Sequence, residues 1–534
     1  MTSTNDINNI PVKSISKQKI LLIVISLTVL SIALVYQPLP ENFPQPWKYR
    51  FLSFWAHIFS KLGYLGEKVN LFDRIHVLRF LYYITVGCFQ IRNPEHHLKI
   101  YDRRILNVSV RIYEPEELDY MDKMPTIIHF HGGGFLLGCR ETYDQVTYAL
   151  ANLTRALVIS VEYRRVPEHY FPAALDDCTS ITYELFKNAD KYRIDVNRIT
   201  LAGDSAGGNL ALVITQSLIQ DGYSPRTACL IYPALQFFDF TLPSYRLYLP
   251  RSILGVINEE NFLSVMSELS ESKVKVTPDI LFNSHTSRQD KIRLHPYVDA
   301  GKYLPISFPF DVDQEGNEDL IPHLKFLISP KMSPLLVPDE QLIKLPTILL
   351  FTAEFDILRD EGFIFAERLQ SLNKTLYHHH FGTTFHGSHL LLYGPLKFDI
   401  AYEMKNEQIS IRRHSLLCLL VFCKCQTDDT DTDTDGIVIS SASSIETTSG
   451  ADAFHSAATV ASTYEQTFKS STDSATNLAS TSTTIQSVTN TEEISFTTPP
   501  SSSSSKKNNL GLIYGLSLRL GIPLVLIIGV GILY

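Results

Sequence analysis

The pentapeptide Gly203-Asp204-Ser205-Ala206-Gly207 sets one serine between two glycines. The strand-like run "RITLA" precedes it, and an alanine- and leucine-rich run follows. A Gly-x-Ser-x-Gly turn between a strand and a helix bends the chain sharply enough to leave the serine hydroxyl standing clear of the backbone. Glycines on either side relieve the crowding at such a bend. The chemistry open to this serine is attack on a carbonyl carbon, which needs a base, an acid that orients the base, and N–H donors for the oxyanion that forms. Candidate donors lie upstream. His131-Gly132-Gly133-Gly134 follows the strand-like run "TIIHF", where a glycine run lets backbone N–H groups approach a carbonyl oxygen. With Ala206, whose N–H follows the serine, these residues make up the candidate oxyanion-binding set. A phosphate cradle is the competing use of such a run, but neither GxxxxGK[ST] nor GxGxxG is present there.

Positioning such groups requires a rigid frame. Seven short apolar or β-branched runs read as strands: "VSVRIY", "TIIHFH", "LVISVEY", "RITLA", "CLIYP", "TILLFT" and "TLYHHHF". Helical patterns such as "TYDQVTYALANLT", "ALDDCTSITYELFKNA" and "GFIFAERLQSLN" fall between them. Apolar strands alternating with helices predict an α/β fold, a mostly parallel sheet covered on both faces. The stretch from Phe237 to Leu345 breaks this rhythm with helical fragments and proline-rich loops. Together with an aromatic segment near the N-terminus, about 47–100, it is expected to form a cap over the C-terminal edge of the sheet.

The 534 residues exceed what one such domain needs, and the two ends differ from the body. Ile20 to Tyr36 carries no charge and at ~1.5 Å per residue is about 26 Å long, near the lower limit for a membrane span. Lys13, Lys17 and Lys19 precede it, which places residues 1–19 in the cytosol and the rest of the chain on the lumenal side. Sequons at Asn107, Asn152 and Asn373 agree with that topology. Residues 427–509 are dominated by Ser and Thr and cannot bury enough apolar area to fold, so they read as a disordered stalk. Leu510–Tyr534 is apolar again but interrupted by Arg519. It makes a poor second span and fits better as a lipid-attachment signal, with Ser501–Ser505 as the small residues ahead of it.

Net charge is −9, which gives no support for nucleic-acid binding. The aspartate-rich run "TDDTDTDTD" reads as a solvated stretch and not as a metal site. Seven scattered cysteines describe neither a disulfide framework nor a zinc site.

Five stretches beyond the serine pentapeptide carry a family resemblance: "HFHGGGFLLG", "EYRRVPEHYFPAALDDC", "YPALQFFDFTLPSYR", "EFDILRDEG" and "FHG". From about Trp47 to Asp399 the chain resembles the arylacetamide deacetylase and neutral cholesterol ester hydrolase group of the hormone-sensitive-lipase-like α/β-hydrolases. The resemblance implies an α/β-hydrolase fold with a cap, spanning 47–403. It also implies a membrane-anchored, lumenal enzyme of the endoplasmic reticulum that cleaves esters or amides with apolar parts and uses no metal or organic cofactor. It carries the acid onto Asp356, in "FDILRDEG", and the base onto His386, in "FHG". On the residues alone, Glu354 shares the loop after "TILLFT" and competes with Asp356, while Asp360 and Glu361 read as the first turn of a helix. His378, His379 and His380 compete with His386 from a strand-like run, and His129 reads as a core or loop-supporting residue.

The chain departs from the group's pattern ahead of "FHG". An acidic pair and a glycine give way to Gly382-Thr383-Thr384, which bears on where the histidine loop lies. The opposing class, a hydrolase-fold surface protein without turnover, would be marked by loss of a triad member, and Ser205, Asp356 and His386 are all present.

Overall fold

A computed structural model describes residues 26, 39–40, 43–71, 73–87, 98–116, 121–250, 258–272, 274–392, 396–399 and 401. Among these no helix is long and apolar enough to cross a membrane. The expected anchor (apart from Ser26), the cytosolic N-terminus, the Ser/Thr-rich stalk and the C-terminal segment lie outside the described residues.

Eight strands form one sheet. They are β1 (Leu98–Ile105), β2 (Val108–Pro115), β3 (Met124–Phe130), β4 (Leu157–Glu162), β5 (Ile194–Asp204), β6 (Thr227–Ile231), β7 (Thr347–Phe355) and β8 (Leu376–Phe385). Their order across the sheet is β1-β2-β4-β3-β5-β6-β7-β8. The first two pairings are antiparallel and the remaining five parallel. The parallel region follows from the sequence: β3, β4 and the second half of β5 are largely apolar and buried, because helices cover both faces.

Among the described residues the helices of nine residues or more are α1 (Pro46–Lys68), α2 (Arg74–Tyr82), α3 (Arg140–Thr154), α4 (Ala173–Lys187), α5 (Ala206–Gln220), α6 (Glu259–Leu269) and α7 (Arg359–Ser371). All seven expected strands and the three quoted helical patterns are present. β1 was not expected. Its Lys99, Asp102, Arg103 and Arg104 are exposed on the outermost strand, so no apolar run marks it.

Between Phe237 and Leu345 the described residues contain helices and 3-10 turns but no strand. This insertion meets the N-terminal helices: Lys61 of α1 lies 3.1 Å from Glu260 of α6, and Arg74 of α2 hydrogen-bonds Asn261. The chain ahead of α1 is held as well. Phe43 is buried, with its ring 4.8 Å from that of Phe355 and 5.6 Å from that of Phe385.

The centre of the sheet is the tightest point. A Cβ on Gly207 would lie 2.0 Å from the Phe130 carbonyl oxygen and 2.6 Å from that of His131. α5 therefore leaves β5 in direct backbone contact with the end of β3. We expect Gly207→Ala to displace this junction, costing about 1–3 kcal/mol of stability and most of the activity. Gly382→Ala, whose Cβ would meet nothing within 4 Å, should leave both nearly unchanged. Thermal melts with ester turnover check the pair, and equal effects would contradict the packing argument.

Candidate active site

Ser205 is the single residue between β5 and α5, with φ 53° and ψ −120°. This left-handed conformation is strained for a residue with a side chain. Neighbours hold it there. The Ser205 N–H donates to the Ile231 carbonyl at 2.9 Å, and the Ser205 carbonyl accepts from the N–H groups of Asn209 (3.0 Å) and Ala234 (3.1 Å).

His386 lies just past the end of β8. Its Nε2 is 3.0 Å from Ser205 Oγ, and its Nδ1 is 2.8 Å from Asp356 Oδ2. With Nδ1–H donating to the carboxylate, Nε2 is the acceptor for the serine hydroxyl. Asp356, fully buried beyond the end of β7, also accepts the Leu358 N–H at 2.9 Å. The departure at Gly382-Thr383-Thr384 does not keep His386 from this position: the register against β7 shifts across those residues, and β8 still continues to Phe385, opposite Phe355.

The competing groups have other partners. Glu354 accepts from Arg359 Nη1 at 2.7 Å and from the Tyr248 hydroxyl at 3.0 Å, and it lies 3.2 Å from His380 Nε2. Asp360 and Glu361 begin α7 as expected, but both are buried. Glu361 accepts the Leu235 N–H at 2.6 Å and the Gln236 amide at 3.0 Å, and burial pushes its carboxyl up to about 8. His378 and His380 each lie 3.0 Å from Thr352 Oγ1 within the sheet. His129 is buried, which pushes its pKa down to about 4.

The glycine loop divides its tasks. Gly133 and Gly134 have φ of 111° and 61°, and the Gly133 carbonyl accepts the Leu137 N–H at 2.7 Å to close the turn. Ala206 opens α5 directly after the serine. Gly132 is different, for its N–H is taken up by the Tyr143 hydroxyl at 2.9 Å and Asp204 Oδ1 at 3.1 Å. Its N–H is thereby withdrawn from any oxyanion-binding set, and its contribution is to anchor the loop. His131 is also a support: its ring stacks on Tyr163 at 4.1 Å, and its carbonyl accepts the Tyr163 hydroxyl at 2.7 Å.

Sequence reasoning missed Asp204, Tyr143 and His389. Asp204 is the residue before the serine, buried, and its Oδ2 accepts the Tyr143 hydroxyl at 2.8 Å. Burial, partly offset by these donors and by His386, pushes its carboxyl up to about 6. His389 hydrogen-bonds Tyr232 and sits 3.8 Å from Asp204 Oδ2. Burial and the two neighbouring histidines lower its pKa to about 3, so the contact is dipolar and not an ion pair. Among the described residues no cluster of potential ligands could hold a metal ion.

Comparison with known proteins identifies the family. The family described as the alpha/beta hydrolase fold matches residues 127–278 and 315–390. Arylacetamide deacetylase of Bos taurus is 30% identical over 396 residues, which are 72% of this chain and 96% of that protein. The chain belongs to this α/β-hydrolase family, and it is a carboxylic ester hydrolase. Neutral cholesterol ester hydrolase 1 of Mus musculus is 28% identical over 393 residues, 70% of this chain and 94% of its own. Among solved structures, an esterase of Pyrobaculum calidifontis has a TM-score of 0.44 at 26% identity, covering 67% of this chain and 98% of that one.

Burial acts to lower the pKa of His386, but the charge and hydrogen bond of Asp356, with a smaller contribution from Asp204, raise it above the ordinary 6.5. A base must be neutral to accept a proton, so turnover should rise with pH through an acid limb above 6.5. The stability contribution runs the other way: for a raised histidine it is complete below 6.5 and lost as pH rises through the raised pKa. Asp356→Asn removes the main upward influence. The acid limb of the residual kcat/KM should then move to lower pH, and an unmoved limb would detach it from His386.

Proposed function

We propose that Ser205, His386 and Asp356 form the catalytic triad of a membrane-anchored esterase acting on apolar carboxylic esters. The observation that carries this reading is the pair of contacts made by one imidazole, 3.0 Å to Ser205 Oγ and 2.8 Å to Asp356 Oδ2. Ser205 Oγ attacks the carbonyl carbon as its proton passes to His386 Nε2. Asp356 keeps the ring in the required tautomer and stabilises the cation. The N–H groups of Gly133, Gly134 and Ala206 stabilise the negative oxygen, each worth about 2.7–4 kcal/mol in comparable enzymes. Collapse of the intermediate breaks the bond to the alcohol, which leaves with the proton from His386. Water, deprotonated by the same nitrogen, then cleaves the acyl-enzyme, releasing the carboxylic acid and restoring Ser205.

The two relatives' names, a deacetylase of arylacetamides and a hydrolase of cholesterol esters, support an ester or amide with a large apolar portion. The insertion 237–345 and the N-terminal helices are assigned as the cap. Ile20–Tyr36 is assigned as the signal anchor, with the catalytic body in the lumen of the endoplasmic reticulum. Leu510–Tyr534 is assigned as a lipid-attachment signal removed near Ser501–Ser505.

Ser205→Ala should abolish labelling by a fluorophosphonate probe and lower turnover by on the order of 10³-fold or more. Asp356→Asn should cost ester turnover by a comparable order, whereas Glu354→Gln, which touches Arg359 and not His386, should cost less than about tenfold. Continued labelling of the serine variant, or a reversed order of the two acid variants, would contradict the assignment. A panel of acyl esters of increasing chain length measures the preferred acyl part.

The lumenal reading is tested separately. Asn107 and Asn373 are exposed, each in a turn with positive φ, and Asn152 is half-buried in the last turn of α3. Endoglycosidase should therefore shift the band of the wild type, with Asn107→Gln and Asn373→Gln each removing part of the shift and Asn152→Gln removing the least. An unshifted wild-type band would place the body outside the lumen.

A further inference from the structure

Helix α1 carries apolar residues on both sides. Its inward side buries Tyr49 and Leu52 along with a set of small residues, Ser53, Ala56, Ser60, Gly63 and Gly66. They allow close packing on α2: a Cβ on Gly63 would lie 3.3 Å from Arg74 Cγ. The opposite side carries large apolar residues at helical spacing. Trp47 is 55% exposed, Leu62 49%, Leu65 57% and Val69, at the C-terminal cap, 58%. Phe51, Phe54 and Ile58 continue the same stripe and are half-buried. Lys48, Arg50, Lys61 and Lys68 accompany it, against the single acid Glu67. A helix with a continuous apolar stripe, aromatic residues and a basic balance suits the headgroup–acyl boundary of a bilayer.

The chain leading into α1 limits where that face can be. Phe43 is fixed in the body by its stacking on Phe385, the residue before His386. Only residues 37–42 separate Phe43 from the apolar run that ends at Tyr36, and fully extended they reach about 20 Å at most. A body tethered so briefly must hold the edge of the sheet next to His386 close to the membrane. Trp47 follows Phe43 by one turn of chain, so the same tether brings the apolar stripe to the leaflet.

We infer that the outward face of α1 lies in the interfacial layer of the bilayer leaflet that holds Ile20–Tyr36. The inference rests on the anchor reading above. It adds a route: an ester dissolved in the leaflet meets the N-terminal helices, which contact α6 of the insertion, before it meets water.

The experiment uses the full-length chain reconstituted in phosphatidylcholine–phosphatidylserine vesicles. The chain has two tryptophans, Trp47 and Trp55, and both lie on α1. Lipids brominated on their acyl chains should therefore quench most of the tryptophan emission, while aqueous iodide quenches little. Strong iodide quenching without bromolipid quenching would overturn the inference, since the face would be in water. Silence toward both would also overturn it, because protein, a second copy or another segment of the chain, would then cover the stripe. Carbonate extraction of the same vesicles reports the anchor separately. A resistant chain without bromolipid quenching keeps the anchor and loses the inference, whereas an extractable chain refutes the anchor while the quenching still decides the face. In the resistant chain, Leu62→Glu with Leu65→Glu should remove the lipid quenching. It should lower turnover of a bilayer-dissolved long-chain ester several-fold and leave kcat/KM for a water-soluble short ester unchanged.

Discussion

The arrangement depends on the backbone contact between α5 and the end of β3. With the Phe130 oxygen 2.0 Å from where a Gly207 side chain would begin, no other residue lets the helix start so close to the sheet. Ser205, directly before the helix, sits in a positive-φ turn, and the first turn of the helix meets the chain where the glycine loop begins, with the His131 oxygen 2.6 Å from the same Cβ position. The strain is held by three hydrogen bonds through the Ser205 peptide groups, two of them reaching Ile231 at the end of β6 and Ala234 just beyond it.

Asp204 turns that steric closeness into a fixed geometry. A buried carboxylate is costly unless its oxygens are satisfied. Here one oxygen takes the Gly132 N–H and the other the Tyr143 hydroxyl, so the glycine loop, β5 and α3 meet at a single group. The cost appears as a carboxyl pushed up to about 6. Asp204 thus ties down one N–H of the glycine loop and fixes where that loop leaves β3.

Much of the frame was legible in the chain, for a physical reason. A strand inside the sheet with helices on both faces favours apolar residues, which makes β3, β4, β6, β7 and the "RITLA" half of β5 visible as runs, whereas β1 at the exposed edge has no such requirement. The serine and the glycine loop were legible because their backbone geometry restricts residue type. The acid was not separable from its neighbours on spacing alone. Glu354 and Asp356 flank the residue where β7 ends, and only the end of that strand decides that one meets Arg359 and the other His386. The Asp204–Tyr143–His389 network left no sequence signal. Its members come from β5, α3 and a turn after β8, and a hydrogen bond between distant segments imposes no local pattern.

Two buried carboxylates thus lie near one imidazole, and their different roles follow from what each touches. Burial alone would make His386 a weaker base than free imidazole. Asp356, in direct contact, more than reverses this, and Asp204 adds a smaller push in the same direction without touching the ring's donor nitrogen. The outcome is an imidazole whose pKa lies above its ordinary value, and its neutral form is the one that can take a proton from serine. His389, an equally buried imidazole nearby, lacks a directly bonded carboxylate and stays neutral with its pKa near 3. The two buried imidazoles differ in that His386 bonds a carboxylate directly, and that contact with Asp356 is the main influence raising its pKa.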